Sequence, residues 1–201
     1  MKLQVSEIFY SLQGEGERAG MANIFIRLRG CKAKHACAKL GIKCDTEFES
    51  GREYTVDELL TRLQQPDMQM CASIIWTGGE PTDQLTDEVV GHFKAKGYYQ
   101  AIETSGLNPV PKGIDYVALS PKVAEHVVAK NFPQGVNELR YVRHTGQSLP
   151  QPSVKAEHYF ISPHSDGQNI NTENLKHCIE LCKTNPAWRL SVQQHKLWKV
   201  L

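Results

Sequence analysis

Seven short apolar runs, each closed by a polar or glycine-rich step, constrain this chain more than any other feature. They span Asn23 to Leu28, Ser73 to Trp76, Gln100 to Ile102, Tyr116 to Leu119, Leu139 to Val142, Tyr159 to Ile161 and Arg189 to Val192. Such runs read as buried strands, and between several of them the apolar residues recur with a helical period. Those helical stretches are Thr55 to Gln65, Asp83 to Lys96, Val123 to Asn131 and Thr172 to Lys183, with Thr55 and Thr172 as the expected caps of the first and last. A repeated strand–helix order gives a parallel sheet. The stretch from His144 to Ala156 holds Gly146, Pro150 and Pro152 without an apolar period, so one crossover helix should be short or missing. A closed eight-unit barrel usually needs about 250 residues, and this chain has 201. The expectation is therefore an α/β fold, an open or incomplete TIM-like barrel of parallel β/α units, forming one domain over residues 1–201.

The balance of charge narrows the partners. A net charge of +1 with dispersed Lys and Arg gives no reason to expect nucleic acid or an anionic membrane surface. No window is long and apolar enough for a membrane span, and Met1 to Glu7 contains no signal-peptide core, so a cytoplasmic protein acting on a small molecule is expected. In a reducing compartment, clustered cysteines point to metal or catalysis rather than to disulfides.

Cys31, Cys37 and Cys44 form such a cluster within a loop at 31–46. Thiolates bind iron–sulfur clusters and zinc, and a cluster held by three cysteines leaves one iron open to another ligand. His35 lies in the same loop, so Cys31, His35, Cys37 and Cys44 also make a Cys₃His set for structural zinc, in a protein that binds a partner and catalyses nothing. Cys178 and Cys182 are spaced i, i+4 on a helical stretch and fit a buried apolar role.

Polar motifs follow several of the strands. Thr77-Gly78-Gly79-Glu80-Pro81 closes the second run, and its glycines let a ligand or a neighbouring backbone approach closely. Glu103-Thr104-Ser105-Gly106 and Ser120-Pro121-Lys122 place hydroxyls and a cation at the ends of the next strands. Ahead of the first run, Leu12-Gln13-Gly14-Glu15 offers an amide and a carboxylate that suit the edge of a purine- or pterin-like ring, and Arg27 can fork onto a carboxylate. Read one at a time, these are a tight turn, solvated loops and a snorkelling arginine.

Together the cysteine triplet and Thr77 to Pro81 resemble the cluster and Gly-Gly-Glu motifs of radical S-adenosylmethionine (SAM) enzymes. Leu12 to Gly16, Phe25 to Cys31, Cys44-Asp45-Thr46, Glu103 to Gly106, Ser120 to Lys122 and Trp188 to Lys196 further resemble the 7-carboxy-7-deazaguanine synthase family. That resemblance implies a homodimer of incomplete radical SAM barrels. It also implies conversion of 6-carboxy-5,6,7,8-tetrahydropterin to 7-carboxy-7-deazaguanine with loss of ammonia, in 7-deazapurine and queuosine biosynthesis. The open iron would bind SAM, and reductive cleavage would give a 5′-deoxyadenosyl radical that takes hydrogen from substrate C6 and later returns it. An electron donor such as flavodoxin is implied.

By motif position, Cys31, Cys37 and Cys44 would hold the 4Fe-4S cluster and Thr46 would ligate Mg²⁺. Lys43, Asp45, Gly79, Ser105, Ser120, Pro121, Lys122 and Ser162 would hold SAM. Leu12, Gln13, Gly14, Glu15, Arg27, Thr77 and the terminal carboxylate of Leu201 would hold the pterin. His195 and Lys196 are read as structural. Two features depart from the family pattern: the cysteines are spaced more widely than is usual, and Lys43 stands where an aromatic residue is common before the third cysteine. A different radical SAM enzyme, such as a glycyl-radical activase, shares the cluster motif.

Overall fold

The computed structural model describes residues 1–39, 48–165, 167 and 169–200. Along the chain the strands are β1 (Lys2–Leu12), β2 (Ala22–Leu28), β3 (Arg52–Thr55), β4 (Ser73–Gly78), β5 (Tyr99–Thr104), β6 (Tyr116–Leu119), β7 (Val136–Arg143), β8 (Ala156–Pro163) and β9 (Arg189–Leu190). The helices are α1 (Lys34–Lys39), α2 (Val56–Leu63), α3 (Asp87–Ala95), α4 (Glu125–Asn131), α5 (Thr172–Thr184) and α6 (Gln194–Trp198), with a single 3₁₀ turn at Pro81–Asp83. All seven apolar runs of the sequence are strands, and those seven are the parallel ones.

The sheet order is β3-β1-β2-β4-β5-β6-β7-β8-β9. From β2 onward each parallel strand lies beside its predecessor, so the order never reverses. Parallel crossovers are right-handed, and a sheet wound in one direction therefore carries its helices on one face. On that face Leu59 and Leu63 of α2 and Phe93 of α3 pack against Ile24, Ile26 and Trp76. Val128 of α4 and Cys178 of α5 pack against Leu119, Leu139 and Ile161. Each large apolar side chain buried in this way contributes about 1.5–3 kcal/mol. β3 and β9 are the two edges, so the sheet does not close.

The opposite face is free of helical core residues. It begins with a small apolar floor of Phe9, Phe25, Ile75, Ala101, Tyr116 and Ala118, in which the Phe9 and Phe25 rings stack 4.9 Å apart. Beyond that floor the inward positions turn polar: Thr77 on β4, Glu103 on β5, Glu138 and Arg140 on β7, and Ser162 on β8.

Two strands escaped the sequence reading, and both are antiparallel. β1 buries Leu3 and Val5 toward the helices, but its register shifts between Val5 and Glu7, and Phe9 then faces the other way. A bulge of this kind breaks the period-two pattern that betrays a strand. β3 is a four-residue edge without a buried residue. Thr55 does cap α2, in a reciprocal capping box with Glu58, whereas α5 is capped by Asn171 rather than by Thr172. The Asn171 side chain reaches the Asn174 N–H and leaves Thr172 as the first helical residue. The β7–β8 connection has no helix among its described residues, as Pro150 and Pro152 imply. Among the described residues no helix is long and apolar enough to cross a membrane.

Candidate active site

Two adjoining cavities, of about 230 Å³ and 280 Å³, open among the loops at the carboxyl ends of the parallel strands. Glu15, Thr77, Glu103 and Gln193 line both and form the wall between them. Cys31, Cys37, Gly79, Ser105, Ser120, Lys122 and Ser162 line the first. Leu12, Gln13, Gly14 and Arg27 line the second, together with His195 and Lys196, which the sequence alone presented as structural. Pro121 lines a separate hollow beside the first cavity, with Val123 and Tyr141. Lys43, Cys44, Asp45, Thr46 and Leu201 lie outside the described residues.

The β4 loop is shaped by backbone contact. The Gly79 N–H donates to the Leu28 carbonyl at 2.9 Å and the Glu80 N–H to the Gly30 carbonyl at 3.0 Å. A Cβ on Gly79 would stand 1.8 Å from the Gly30 oxygen, so only glycine lets this loop seat on the segment that leads into Cys31. The tight turn and the ligand-facing loop are thus one object.

Glu80 then joins its own loop to the one after β5. Its Oε1 accepts from Thr82 N (3.2 Å), Thr82 Oγ1 (2.7 Å) and Thr104 Oγ1 (2.8 Å). Its Oε2 accepts from Ser105 N at 2.8 Å and from Ser105 Oγ. Ser105 has therefore committed its hydroxyl proton and presents lone pairs to the cavity. Lys122 Nζ donates to Ser120 Oγ at 2.6 Å, which ties the β6 loop into one polar unit. Ser162 is 3 % exposed, and its Oγ has no hydrogen-bond partner among the described residues.

Cys31 follows β2 and Cys37 sits in α1, both half-buried on the cavity lining. His35 is exposed and absent from that lining. Among the described residues no three His, Cys, Asp or Glu side chains converge as a metal cage, the third cysteine of the triplet being outside them. Cys178 is buried under the helices, and burial pushes its thiol up to about 12.

The shared wall holds what the sequence did not reveal. Arg140 donates to Glu15 Oε2 at 2.8 Å and to Glu103 Oε1 at 3.0 Å, with Glu138 Oε1 3.5 Å from its Nε. Gln13 Nε2 donates to Glu103 Oε1 at 3.0 Å and Thr77 Oγ1 to Glu103 Oε2 at 3.2 Å. Burial opposes ionisation of Glu103, but the Arg140 guanidinium and the Gln13 and Thr77 hydrogen bonds outweigh it and hold the carboxyl below its usual range. Burial likewise opposes the charge on Arg140, and Glu15, Glu103 and Glu138 more than offset it. A charge at alternate positions of a buried strand must be paired, and this is the sequence signal that marks Glu138 and Arg140. Arg27 faces the second cavity above the Phe9 ring, 3.3 Å from Glu7. The C-terminal segment closes that cavity: the Gln194 N–H donates to the Gly14 carbonyl at 2.9 Å, and Val200 joins the lining.

Fold and cavities define a class, an α/β protein with two adjoining cavities on the rim of a singly wound parallel sheet and two thiols lining one of them. No protein-family model matches the chain. Relatives do: 7-carboxy-7-deazaguanine synthase of Bacteroides thetaiotaomicron is 34% identical over 200 residues, covering 98% of either chain. That of Neisseria meningitidis is 36% identical over 204 residues, covering 96% of this chain and 92% of its own. The crystal structure of QueE from Escherichia coli superposes with a TM-score of 0.67 at 24% identity, covering 96% of this chain and 94% of that one. The chain belongs to the 7-carboxy-7-deazaguanine synthase family.

Proposed function

We propose that the protein is a radical SAM carbon–nitrogen lyase that converts 6-carboxy-5,6,7,8-tetrahydropterin to 7-carboxy-7-deazaguanine with release of ammonia, in queuosine biosynthesis. The observation that carries this reading is the meeting of two cavities at one polar wall, one rimmed by thiols and the other lined by Gln13, Glu15, Arg27 and Thr77. The open, singly wound sheet supports an incomplete barrel of the radical SAM type.

The residues present suit the cofactors. Cys31 and Cys37 bring soft donors to one rim, with Cys44 as the third ligand, and the exposed position of His35 favours Cys37 over it. When bound, a 4Fe-4S cluster with one iron free of protein ligands supplies the electron that cleaves the sulfonium of SAM. The chain's part is to bind and orient. Gly79 brings bare backbone to the cavity, Ser162 offers a buried hydroxyl that lacks a partner among the described residues, and Ser105, Ser120 and Lys122 frame the remaining polar groups of SAM, with Pro121 shaping the loop between the last two from outside that cavity. Lys43 and Asp45 complete that set, and Thr46 shares Mg²⁺ with the substrate carboxylate, since a hard cation prefers oxygen. Arg27 and Leu201 hold the pterin with Leu12, Gln13, Gly14, Glu15 and Thr77. Assembly as a homodimer, reduction by a donor such as flavodoxin and a cytoplasmic location complete the reading.

The test is anaerobic purification, iron and sulfide analysis, and incubation with SAM, reductant and the carboxypterin. The expected product is the deazaguanine acid. Zinc without iron, or an iron–sulfur protein that leaves this substrate untouched, refutes the proposal.

A further inference from the structure

The wall between the cavities and the strand behind it hold three carboxylates against one cation. Arg140 is 5 % exposed, and its guanidinium faces Glu15 from the loop after β1, Glu103 from β5 and Glu138 from its own strand. Tyr116 on β6 donates to Glu138 at 3.0 Å, as does the Glu17 N–H at the same distance, while Arg18 lies over the Tyr116 ring, Lys122 and His164 line the first cavity, and Arg27, His195 and Lys196 line the second.

Four hydrogen bonds close into a ring. Arg140 donates to Glu15 at 2.8 Å, the Glu15 N–H donates to Gln13 Oε1 at 3.0 Å, Gln13 Nε2 donates to Glu103 at 3.0 Å, and Arg140 donates to the same Glu103 oxygen at 3.0 Å. Both carboxylates in this ring line both cavities, whereas Glu138 lines neither. A planar fork fixes the angle between two carboxylates in a way that a point charge cannot.

We propose that Arg140 is a positioning residue that holds Glu15 and Glu103 as two fixed acceptors, and that this pair selects a heterocycle presenting adjacent N–H donors, a guanidine-type edge. The inference rests on the proposed function and adds to it the source of ring selectivity. Without Arg140 the carboxylates repel one another in a buried site, and one takes up a proton. A protonated carboxyl turned to its neighbour no longer accepts from the ring.

The holoenzymes of the wild type, Arg140→Lys, Arg140→Gln and Arg140→Gln/Glu138→Gln are compared for KM, kcat and melting temperature, with KM followed between about pH 6 and pH 8. The wild-type KM for the carboxypterin stays flat across that range. Arg140→Gln raises it roughly tenfold to a hundredfold, with kcat changed less, and the KM climbs as pH falls because the acceptors protonate. Arg140→Lys restores the flat profile but only part of the affinity. The double variant removes the excess charge, regains melting temperature, and keeps the high KM. An Arg140→Gln enzyme with an unchanged KM and a flat profile overturns the inference. So does a double variant whose recovered melting temperature brings wild-type KM with it, since Arg140 would then act on stability alone. A wild-type enzyme that leaves the carboxypterin untouched overturns the proposed function instead, and this inference with it.

Discussion

Replacing Glu80 by glutamine tests the account of the rim directly, because the two side chains have the same shape and differ in what they accept. Each Glu80 oxygen receives one backbone N–H, from Thr82 at 3.2 Å on Oε1 and from Ser105 at 2.8 Å on Oε2. Hydroxyls can rotate to accept from an amide, but backbone N–H groups cannot. Whichever way the substituted amide turns, its NH₂ therefore meets a donor, and the site is 1 % exposed, so water cannot intervene. A lost hydrogen bond to a charged acceptor costs about 1.5–3 kcal/mol and a buried unsatisfied donor about 1–3 kcal/mol; with partial relaxation the sum is about 2–4 kcal/mol. For a chain of this size that lowers the melting temperature by about 5–15 °C, measurable by calorimetry or by urea titration. The loops bearing Gly79 and Ser105 lose their common anchor, and SAM affinity falls with stability. A melting shift below about 2 °C would refute the reasoning.

Cys37→Ala is expected to abolish iron loading and turnover and His35→Ala to spare both, as read by iron content and product formation after anaerobic reconstitution. Gly79→Ala places a methyl carbon 1.8 Å from the Gly30 oxygen and is expected to lower both stability and SAM affinity, checked by melting temperature and equilibrium binding. Cys178, its thiol pushed up to about 12 by burial, stays protonated at neutral and mildly alkaline pH. The stability this favours is full below the ordinary thiol pKa of about 8.5 and is lost as pH rises toward the folded value, and alkylation near pH 8 should spare Cys178 in the native protein and modify it in urea.

The parallel core was legible because strands buried on both faces read as apolar runs, and each run was a strand. The antiparallel extension was not, since the bulge after Val5 scrambles the alternation of β1 and β3 shows no buried face. At the site, the residues quoted from motifs converge: Gln13, Arg27 and Thr77 in one cavity, Cys31, Ser120 and Ser162 in the other. The residues that organise them stayed hidden for a physical reason. Glu80 was read as part of a turn, yet its partners Thr104 and Ser105 lie on the next loop, and Arg140 sits inside an apolar run with partners 125 and 37 residues away. Pairing across such separations is a property of the fold, and local pattern carries no record of it.

The segment after β1 laces across the face opposite the helical core, from Gln13 on Glu103 through Glu15 on Arg140 to Gly16, whose N–H donates to Ser191 Oγ, 175 residues further along the chain. Two stretches far apart in sequence therefore build one wall. During synthesis the strands from β2 to β8 can stack as they emerge, each on its predecessor, but the second cavity stays unwalled until the last helix reaches Gly14. A chain truncated before α6 therefore keeps the residues of its parallel strands but loses His195, Lys196 and Val200 from the second cavity. For this architecture the sheet and the second cavity are separable along the sequence, since the strands end at Leu190 and the cavity takes part of its wall from α6 beyond them.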